Sequence, residues 1–236
     1  MQRNRLILLG GAAAIAVVVV VVAVVVLGSG GGSGSPTTTA ASGGSGGTEA
    51  ASIFKGIPQH GDTVGRASAS AVLTVFEDPQ CPYCREWDID TLSTVVADYV
   101  RTGRLQLRYH GIPIIGANSI DGLRAIYGAG MQDKLWNMAV ALYERQGEEN
   151  SGWITLPVIK DAAAEVGVNA TKLIADADSK KVTADMKASY NAATAAKIDG
   201  TPTFILQKTL GVPQQLNVSG LEPSQFMPAL AAALQQ

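Results

Sequence analysis

Two cysteines separated by two residues are the groups in this sequence best suited to chemistry. Cys81 and Cys84 are the only cysteines among the 236 residues, too few for the disulfide framework of a small secreted domain. A thiolate attacks disulfides, and a second thiol two positions along the chain can then resolve the mixed disulfide. The pair therefore predicts thiol–disulfide exchange, with Cys81 as the exchanging sulfur and Cys84 as the resolving one.

The residues on either side of the cysteines predict a strand that leads into a helix. The apolar run from Ala71 to Phe76 is typical of a buried central strand, and a helix is expected from Pro82 towards Val100. The start of a helix presents unpaired backbone N–H groups and the positive end of its dipole. Both favour a thiolate at Cys81, which is the reactive form.

The remaining elements predict an α/β fold with a long helical block. Residues 104–110 alternate between polar and apolar positions, as a strand does, and residues 118–190 carry helix formers with almost no strand signal. A turn at Ile198–Gly200 precedes a second buried strand that begins at Thr201. An amphipathic helix is expected from Leu221 to Leu234, with Pro223 at its start.

The sequence resembles the thioredoxin fold, and within it the DsbA-like thiol–disulfide oxidoreductases of bacteria. Three stretches support the resemblance: Phe76–Cys84 matches the strand, Cys-x-x-Cys and helix entry, residues 118–190 match an inserted helical domain, and Thr201–Phe204 matches the loop that carries a cis-proline. The resemblance covers about residues 55–236. It implies a thioredoxin-like domain with a helical insertion and an enzymatic function.

The resemblance also implies roles for Thr201 and Pro202. In the fold, the cis-proline loop faces the cysteines and helps to hold the substrate during the mixed disulfide. X–Pro bonds are the ones in which the cis form is readily accessible. A proline that opens a buried strand leaves neighbouring backbone groups free to bind an extended peptide.

The sequence departs from the family around the cysteines. Many members carry a buried acid six residues before the first cysteine, where this chain has Val75. Glu77 and Asp78 are candidates to replace it, or they simply end the strand. Between the cysteines lie Pro82 and Tyr83, whereas the strongest oxidases of the family often have Pro-His. Glu77, Asp78, Pro82 and Tyr83 are the residues that could tune the redox properties of the cysteines. The Cys81–Cys84 couple is expected to be less oxidising than the strongest members of the family.

The first 27 residues predict a membrane anchor. Arg3 and Arg5 are followed by an uncharged apolar run from Leu6 to Leu27, which would span about 33 Å as a helix, enough for a hydrocarbon core of about 30 Å. The positive flank predicts a cytoplasmic N-terminus and an extracytoplasmic remainder of the chain. The alternative is a signal peptide cleaved near residues 28–30.

Residues 28–52 are almost entirely Gly, Ser, Thr and Ala, and such a composition predicts a flexible tether. The catalytic domain is then expected at residues 53–236, outside the cytoplasmic membrane and attached to it by a single span.

Charge and ligand-type residues exclude several other functions. The formal net charge is −2, and without a basic stripe nucleic-acid binding is not expected. Zinc prefers four ligands, and besides the cysteines the chain has only His60 and His110, on separate segments; neither a metal nor a cofactor is predicted. A purely structural disulfide is the other alternative, but one that closes so small a loop constrains the unfolded chain little.

The favoured function is an extracytoplasmic oxidoreductase that introduces disulfide bonds into exported proteins with free thiols. By analogy with the family, a quinone-linked oxidase of the membrane is expected to reoxidise it. The alternatives are a reductase or isomerase of the same fold, as in cytochrome maturation, and a non-catalytic module that binds peptides.

Overall fold

A six-stranded mixed sheet runs through residues 48–235, the part of the chain that this computed structural model describes. The strands are β1 (Gln59–His60), β2 (Thr63–Val64), β3 (Ala71–Glu77), β4 (Leu105–Gly111), β5 (Thr203–Lys208) and β6 (Gln214–Gln215). Their order in the sheet is β1-β2-β4-β3-β5-β6. Strands β3 and β4 are parallel, and the other neighbouring pairs are antiparallel. The predicted α/β class is confirmed.

Strand β3 lies at the centre of this sheet. Its Val75 is opposite Tyr109 of β4 and Phe204 of β5. Successive side chains of a strand point to opposite faces, and here Val75 belongs to the main core, whereas Phe76 packs in a separate small cluster. Glu77 is therefore on the same face as Val75, which is the face that meets the helix carrying the cysteines.

Helices pack around the sheet, and five of them lie between β4 and β5 in the sequence. They are α1 (Glu49–Ser52), α2 (Pro82–Asp90), α3 (Leu92–Val95) with a π-helical turn at Val96–Val100, α4 (Ala117–Gly130), α5 (Leu135–Tyr143), α6 (Leu156–Glu165), α7 (Ala170–Ala177), α8 (Lys180–Ala195) and α9 (Pro223–Gln235). Helices α4 to α8 occupy the segment in which the sequence predicts a helical block. Every residue of α5 is buried, and this helix packs against α1, α2 and α4.

Three aromatic side chains join helix α2 to strand β5 and helix α9. Trp87 of α2 lies 5.1 Å from Phe204 of β5 and 5.8 Å from Phe226 of α9, measured between ring centroids, and Phe204 and Phe226 are 4.8 Å apart. All three are buried. Aromatic contacts of this kind add to the free energy of burial. They hold the helix with the cysteines against the strand that follows the Thr201–Pro202 loop.

The folded part of the chain begins before residue 53, so the predicted end of the tether is corrected. Helix α1 covers Glu49–Ser52, and the side-chain oxygen of Thr48 caps it by accepting from the N–H of Ala51. Ala50 is fully buried, and Glu144 and Asn137 bind its backbone N–H and C=O. These tertiary contacts order a stretch whose composition alone indicates a coil.

The predicted anchor at residues 1–27 and residues 28–47 of the predicted tether lie outside the described residues. Within residues 48–235, no helix combines the length and the apolar character needed to cross a bilayer.

Candidate active site

The end of β3 and the start of α2 bring the two cysteines to the edge of the core. After Glu77 a tight turn reverses the chain, and the N–H of Cys81 donates to the carbonyl oxygen of Asp78 at 2.9 Å. Cys81 has an extended backbone and precedes the first helical residue, Pro82. Proline is favoured as the first residue of a helix, because the N–H that it lacks would have no partner within the helix. Both cysteines are thiols in this structure.

Cys81 is the sulfur that the surroundings prepare for reaction. Its side chain is 4% exposed, against 0% for Cys84. Hydrogen bonding from the Cys84 thiol is the largest influence on Cys81 and lowers its pKa to about 6, with burial opposing and Thr201 and the backbone N–H groups of Cys84 and Tyr83 assisting. A substantial fraction of Cys81 is therefore thiolate at neutral pH, which is what nucleophilic exchange requires.

Cys84 has the opposite character. Complete burial, the hydrogen bond to Cys81 and the charge of Glu77 raise its pKa well above the usual thiol value. It stays protonated in the reduced protein. At neutral pH the reduced site therefore holds mostly a Cys81 thiolate beside a Cys84 thiol. Attack by Cys84 on a mixed disulfide at Cys81 requires that the Cys84 proton be removed first.

The loop before β5 faces Cys81 directly. The Thr201–Pro202 peptide bond is cis, and the Cys81 thiol donates to the Thr201 carbonyl oxygen at 3.3 Å. The Thr201 hydroxyl is buried and lacks any other partner, which leaves it able to donate to the sulfur once Cys81 loses its proton. Thr201 therefore contacts Cys81 through its carbonyl oxygen, and its hydroxyl is a donor available to the thiolate.

The residues between the cysteines differ in exposure. Pro82 opens the helix, and Tyr83 is 62% exposed, so its ring is presented to solvent beside Cys81. A residue that the sequence did not reveal supports the same turn: the Gln146 side-chain amide donates to the carbonyl oxygens of Pro79 and Cys81, each at 3.0 Å. Gln146 lies just beyond α5, and only the tertiary fold brings it to the cysteines.

The two acids before the cysteines have separate surroundings. Asp78 is fully bonded: Oδ1 accepts from the N–H of Gln80 at 2.8 Å and from the Ser119 hydroxyl at 2.6 Å, and Oδ2 accepts from the N–H of Ile115 at 2.8 Å. It fixes the cysteine loop to helix α4 and to the segment before it. Asp78 therefore has a structural role, because it holds the cysteine loop in position. The sequence alone did not show that its role differs from that of Glu77.

Glu77 lies beneath the cysteines with few partners. It is fully buried, and the Tyr143 hydroxyl is within 3.4 Å of Oε2, while Oε1 has no partner among the polar groups around it. Burial and then the carboxyl of Asp88 raise its pKa well above the usual value. Asp88 itself is fully buried, and burial raises its pKa to about 8.

Asp88 is a site residue that the sequence pattern did not reveal. It lies four residues after Cys84 in α2, and residues at that spacing share one face of a helix. The spacing was visible in the sequence. What was not visible is that this face of the helix is the buried one.

The described residues hold no group of three or more His, Cys, Asp or Glu side chains arranged to bind a metal ion. His110 is bound instead to Ser189, with Nδ1 at 2.8 Å from the hydroxyl oxygen. His60 lies on β1 near Asp133 with a largely exposed side chain.

Comparisons with known proteins agree with this arrangement. A family model described as thioredoxin matches residues 59–215. The probable disulfide bond formation protein D of Bacillus anthracis is 28% identical over 158 residues, which cover 64% of this chain and 71% of that protein. The fold is shared with BdbD from Bacillus subtilis, solved in its oxidised form (TM-score 0.64, 16% identity, 76% of this chain and 98% of that one). A thioredoxin-like oxidoreductase from Silicibacter pomeroyi has a TM-score of 0.58 and 26% identity, covering 80% of this chain and 98% of that one.

Proposed function

This chain belongs to the thioredoxin family and is a DsbA-like thiol–disulfide oxidoreductase, and from that premise we propose that it works as an oxidase that introduces disulfide bonds into exported proteins. The observation that carries the proposal is the unequal pair of sulfurs, with the pKa of Cys81 lowered to about 6 and that of Cys84 raised. A stabilised thiolate stabilises the reduced enzyme, and a couple whose reduced form is stabilised is a stronger oxidant.

The reaction begins with the oxidised enzyme, in which Cys81 and Cys84 form a disulfide. A substrate thiolate attacks the Cys81 sulfur; the bond between the two cysteines breaks, and its electron pair leaves with Cys84, which takes up a proton. A second substrate thiolate then attacks the substrate sulfur of the mixed disulfide. Cys81 leaves as a thiolate, the substrate gains a disulfide, and two electrons have passed to the enzyme.

The cis-Pro202 loop is proposed to hold the substrate during this exchange. The Thr201 carbonyl oxygen is at hydrogen-bonding distance from Cys81, and a peptide whose own cysteine is joined to Cys81 must pass beside this loop. Binding of an extended segment to backbone groups at a strand end is a common mode of peptide recognition. The exposed Tyr83 ring, two residues after Cys81, offers an apolar contact for the bound segment.

Location and regeneration are part of the proposal. The positively flanked apolar run at Leu6–Leu27 supports a single span with the catalytic domain outside the cytoplasmic membrane. The relative from Bacillus anthracis is named for disulfide bond formation, a process of oxidising compartments. An oxidase needs an electron acceptor, and a quinone-linked membrane oxidase is proposed to reoxidise Cys81 and Cys84.

Trapping of thiols in living cells tests the direction of electron flow. Rapid acid quenching followed by alkylation reports the redox state of the Cys81–Cys84 pair, and the oxidase is expected to be mostly oxidised. A mostly reduced pair would favour a reductase or isomerase. Cys81→Ser is the matched variant: the oxidase loses its function in cells, whereas a module that only binds peptides would keep it.

A further inference from the structure

One end of the sheet carries cationic side chains that the thiol chemistry does not use. Strands β3 and β4 begin at this end and β5 ends there, because Ala71 of β3 is opposite both Leu105 and Lys208. The cysteines follow the other end of β3, after Glu77. A strand rises about 3.3 Å per residue, so the two ends of β3 are roughly 20 Å apart. The sheet therefore has one end for thiol exchange and a second end without an assigned role.

Five cationic side chains form the basic end of the domain: Lys55, Arg66, Arg101, Arg104 and Lys208. Arg104 immediately precedes β4 and Lys208 ends β5, and both line one cavity of about 270 Å³. The Arg101 guanidinium donates to the carbonyl oxygen of Lys55 at 2.9 Å. The Arg66 side chain lies over Gly103, 2.9 Å from the place where a Cβ would be. The fold thus gathers cations from separate stretches of the chain, which is why the sequence shows no basic stripe.

The charges of the basic end are not neutralised by carboxylates of the described residues. Within residues 48–235, no salt bridge involves any of the five cations. Arg101 and Arg104 donate to backbone carbonyl oxygens and to the Thr102 hydroxyl, which hold the guanidinium groups but carry no formal charge. Within three positions of the five cations along the chain, Asp98 is the only acid. This end is therefore positive on a chain whose formal net charge is −2.

The turn between β5 and β6 adds apolar side chains to the same end. Its tip, residues 209–213, carries Leu210, which is 101% exposed, and Val212, which is 72% exposed. The N–H and the hydroxyl of Thr209 donate to the Ser70 carbonyl oxygen, at 2.9 and 3.0 Å, and so fix the tip to the start of β3. Burial of large apolar side chains is favourable. The tip thus presents two such side chains to solvent beside Lys208.

We propose that the basic end and the hairpin tip form a docking face for an anionic membrane surface, with Leu210 and Val212 entering the boundary between headgroups and acyl chains. Cations near an anionic bilayer are attracted to its headgroups, and apolar side chains beside them are buried at that boundary. The cavity lined by Arg104 and Lys208 is a place for a lipid phosphate, which arginine binds well. An acidic protein would match the cations but would leave the exposed apolar tip unexplained.

The docking face rests on the proposed location of the chain and adds an orientation to it. A chain anchored through Leu6–Leu27 keeps its catalytic domain at a high effective concentration beside the bilayer, so weak contacts suffice for docking. Because the basic end is opposite the end with the cysteines, docking directs Cys81 away from the lipid. The docked domain therefore presents its exchanging sulfur to exported chains rather than to the membrane.

Fluorescence quenching by nitroxides on lipid headgroups tests the docking face in the full-length protein, reconstituted into vesicles. In the oxidised protein Cys81 and Cys84 form a disulfide, so Gly211→Cys supplies a single thiol for a fluorescent label between the two apolar side chains. In vesicles of phosphatidylcholine with about one third phosphatidylglycerol, the label is expected to be quenched about tenfold more than in pure phosphatidylcholine. The same label on Asp199→Cys, in the exposed loop before Thr201, should stay unquenched in both.

Reversal of charge separates the basic end from the net charge of the domain. One variant combines Lys55→Glu, Arg66→Glu and Lys208→Glu. It is expected to lower the quenching of the Gly211→Cys label about tenfold, because each change turns an attraction to the headgroups into a repulsion. The matched control changes the net charge equally through three exposed lysines of the helical block that form no salt bridge within residues 48–235: Lys160→Glu, Lys180→Glu and Lys187→Glu. Its quenching should equal that of the unreversed protein.

A salt series covers the case in which the charge-reversed variant does not fold. At about 1 M salt the screening length falls to about 3 Å, so quenching of the Gly211→Cys label should fall without any change of the basic end. Equal quenching in neutral and anionic vesicles, or at low and high salt, would overturn the docking face. A label that no vesicle quenches, but that native membranes shield until protease treatment, would also overturn it and assign the basic end to an acidic protein.

Flotation of the same vesicles keeps the docking face distinct from the proposed anchor. Protein that floats with the vesicles at high salt, but whose tip label is never quenched at low salt, has the anchor and lacks the docking face. Protein whose label is quenched at low salt, but which high salt releases from the vesicles, has the docking face and contradicts the anchor. Thiol exchange at Cys81 is measured separately, so its failure is not confused with either result.

Discussion

The thiol of Cys81 donates a hydrogen bond to the carbonyl oxygen of Thr201, across 3.3 Å of space and 120 residues of sequence. The contact joins the start of α2 to the loop that opens β5. It places the exchanging sulfur beside the backbone of a cis-proline loop, where the unpartnered hydroxyl of the same threonine is available to the thiolate.

The first prediction concerns this hydroxyl. Thr201→Val keeps the shape of the side chain and removes the donor to the Cys81 thiolate. Because a hydrogen bond to a charged group contributes about 1.5 kcal/mol, the pKa of Cys81 is expected to rise from about 6 by about one unit. The ultraviolet absorbance of the thiolate, titrated against pH in the reduced protein, measures it. Thr203→Val, which removes a hydroxyl bonded to Gly200 instead, should leave the titration unchanged.

The second prediction compares the stabilities of the two redox forms. In the reduced protein the pKa of Cys81 is lowered from 9.0 to about 6; between these values the folded state is ionised while the unfolded chain is still protonated. The reduced form should therefore gain stability over the oxidised form as pH rises through this window, and lose that gain as pH falls through about 6. Urea denaturation of both forms at several pH values measures the difference. A difference that does not vary with pH would contradict the lowered pKa.

Part of this site was predictable from sequence because it depends on local chain order. The Cys81–Cys84 spacing, a strand before it and a helix after it are encoded within about twenty residues, and Thr201–Pro202 is a recognisable pair. Asp88 and Gln146 were missed because nothing local shows that Asp88 is buried in the core or that Gln146 reaches the backbone of the cysteine turn. The sequence did not distinguish Glu77 from Asp78, because which of the two side chains points into the core depends on where strand β3 ends. Helix α1 was missed because its order comes from Glu144 and Asn137, about ninety residues away.

The third prediction tests whether the hydrogen bonds of Asp78 stabilise the fold. Asp78→Asn replaces one carboxylate oxygen by an NH₂ group, so at least one of the three donors that now bind Asp78 is left without an acceptor. Breaking such a buried network should lower the free energy of unfolding by about 3 kcal/mol. Ser119→Ala removes one donor to Asp78 and the acceptor of the buried Gln80 side-chain amide, and it should lower the free energy of unfolding by about 2 kcal/mol. Equal stabilities of Asp78→Asn and the wild type in chemical denaturation would show that the network contributes nothing.

The fourth prediction concerns Asp88 and the loss of folding stability as pH rises. Burial raises the pKa of Asp88 from 3.8 to about 8; between these values the carboxyl is ionised in the unfolded chain but protonated in the folded protein. Stability should therefore fall as pH rises through this window, by at most about 1.4 kcal/mol per pH unit for this group. Asp88→Asn cannot ionise, so its denaturation midpoints should fall less steeply. An unchanged slope would show that Asp88 is already ionised in the folded protein.

Equilibration of the full-length protein with glutathione buffers tests the central claim, that the Cys81–Cys84 pair is an oxidising couple. The reduction potential is expected to lie above the about −270 mV of thioredoxin, because the Cys81 thiolate is stabilised, and below the about −120 mV of DsbA, because Tyr83 adds no positive charge beside it. A potential at or below about −270 mV would contradict the oxidase and indicate a protein that donates electrons.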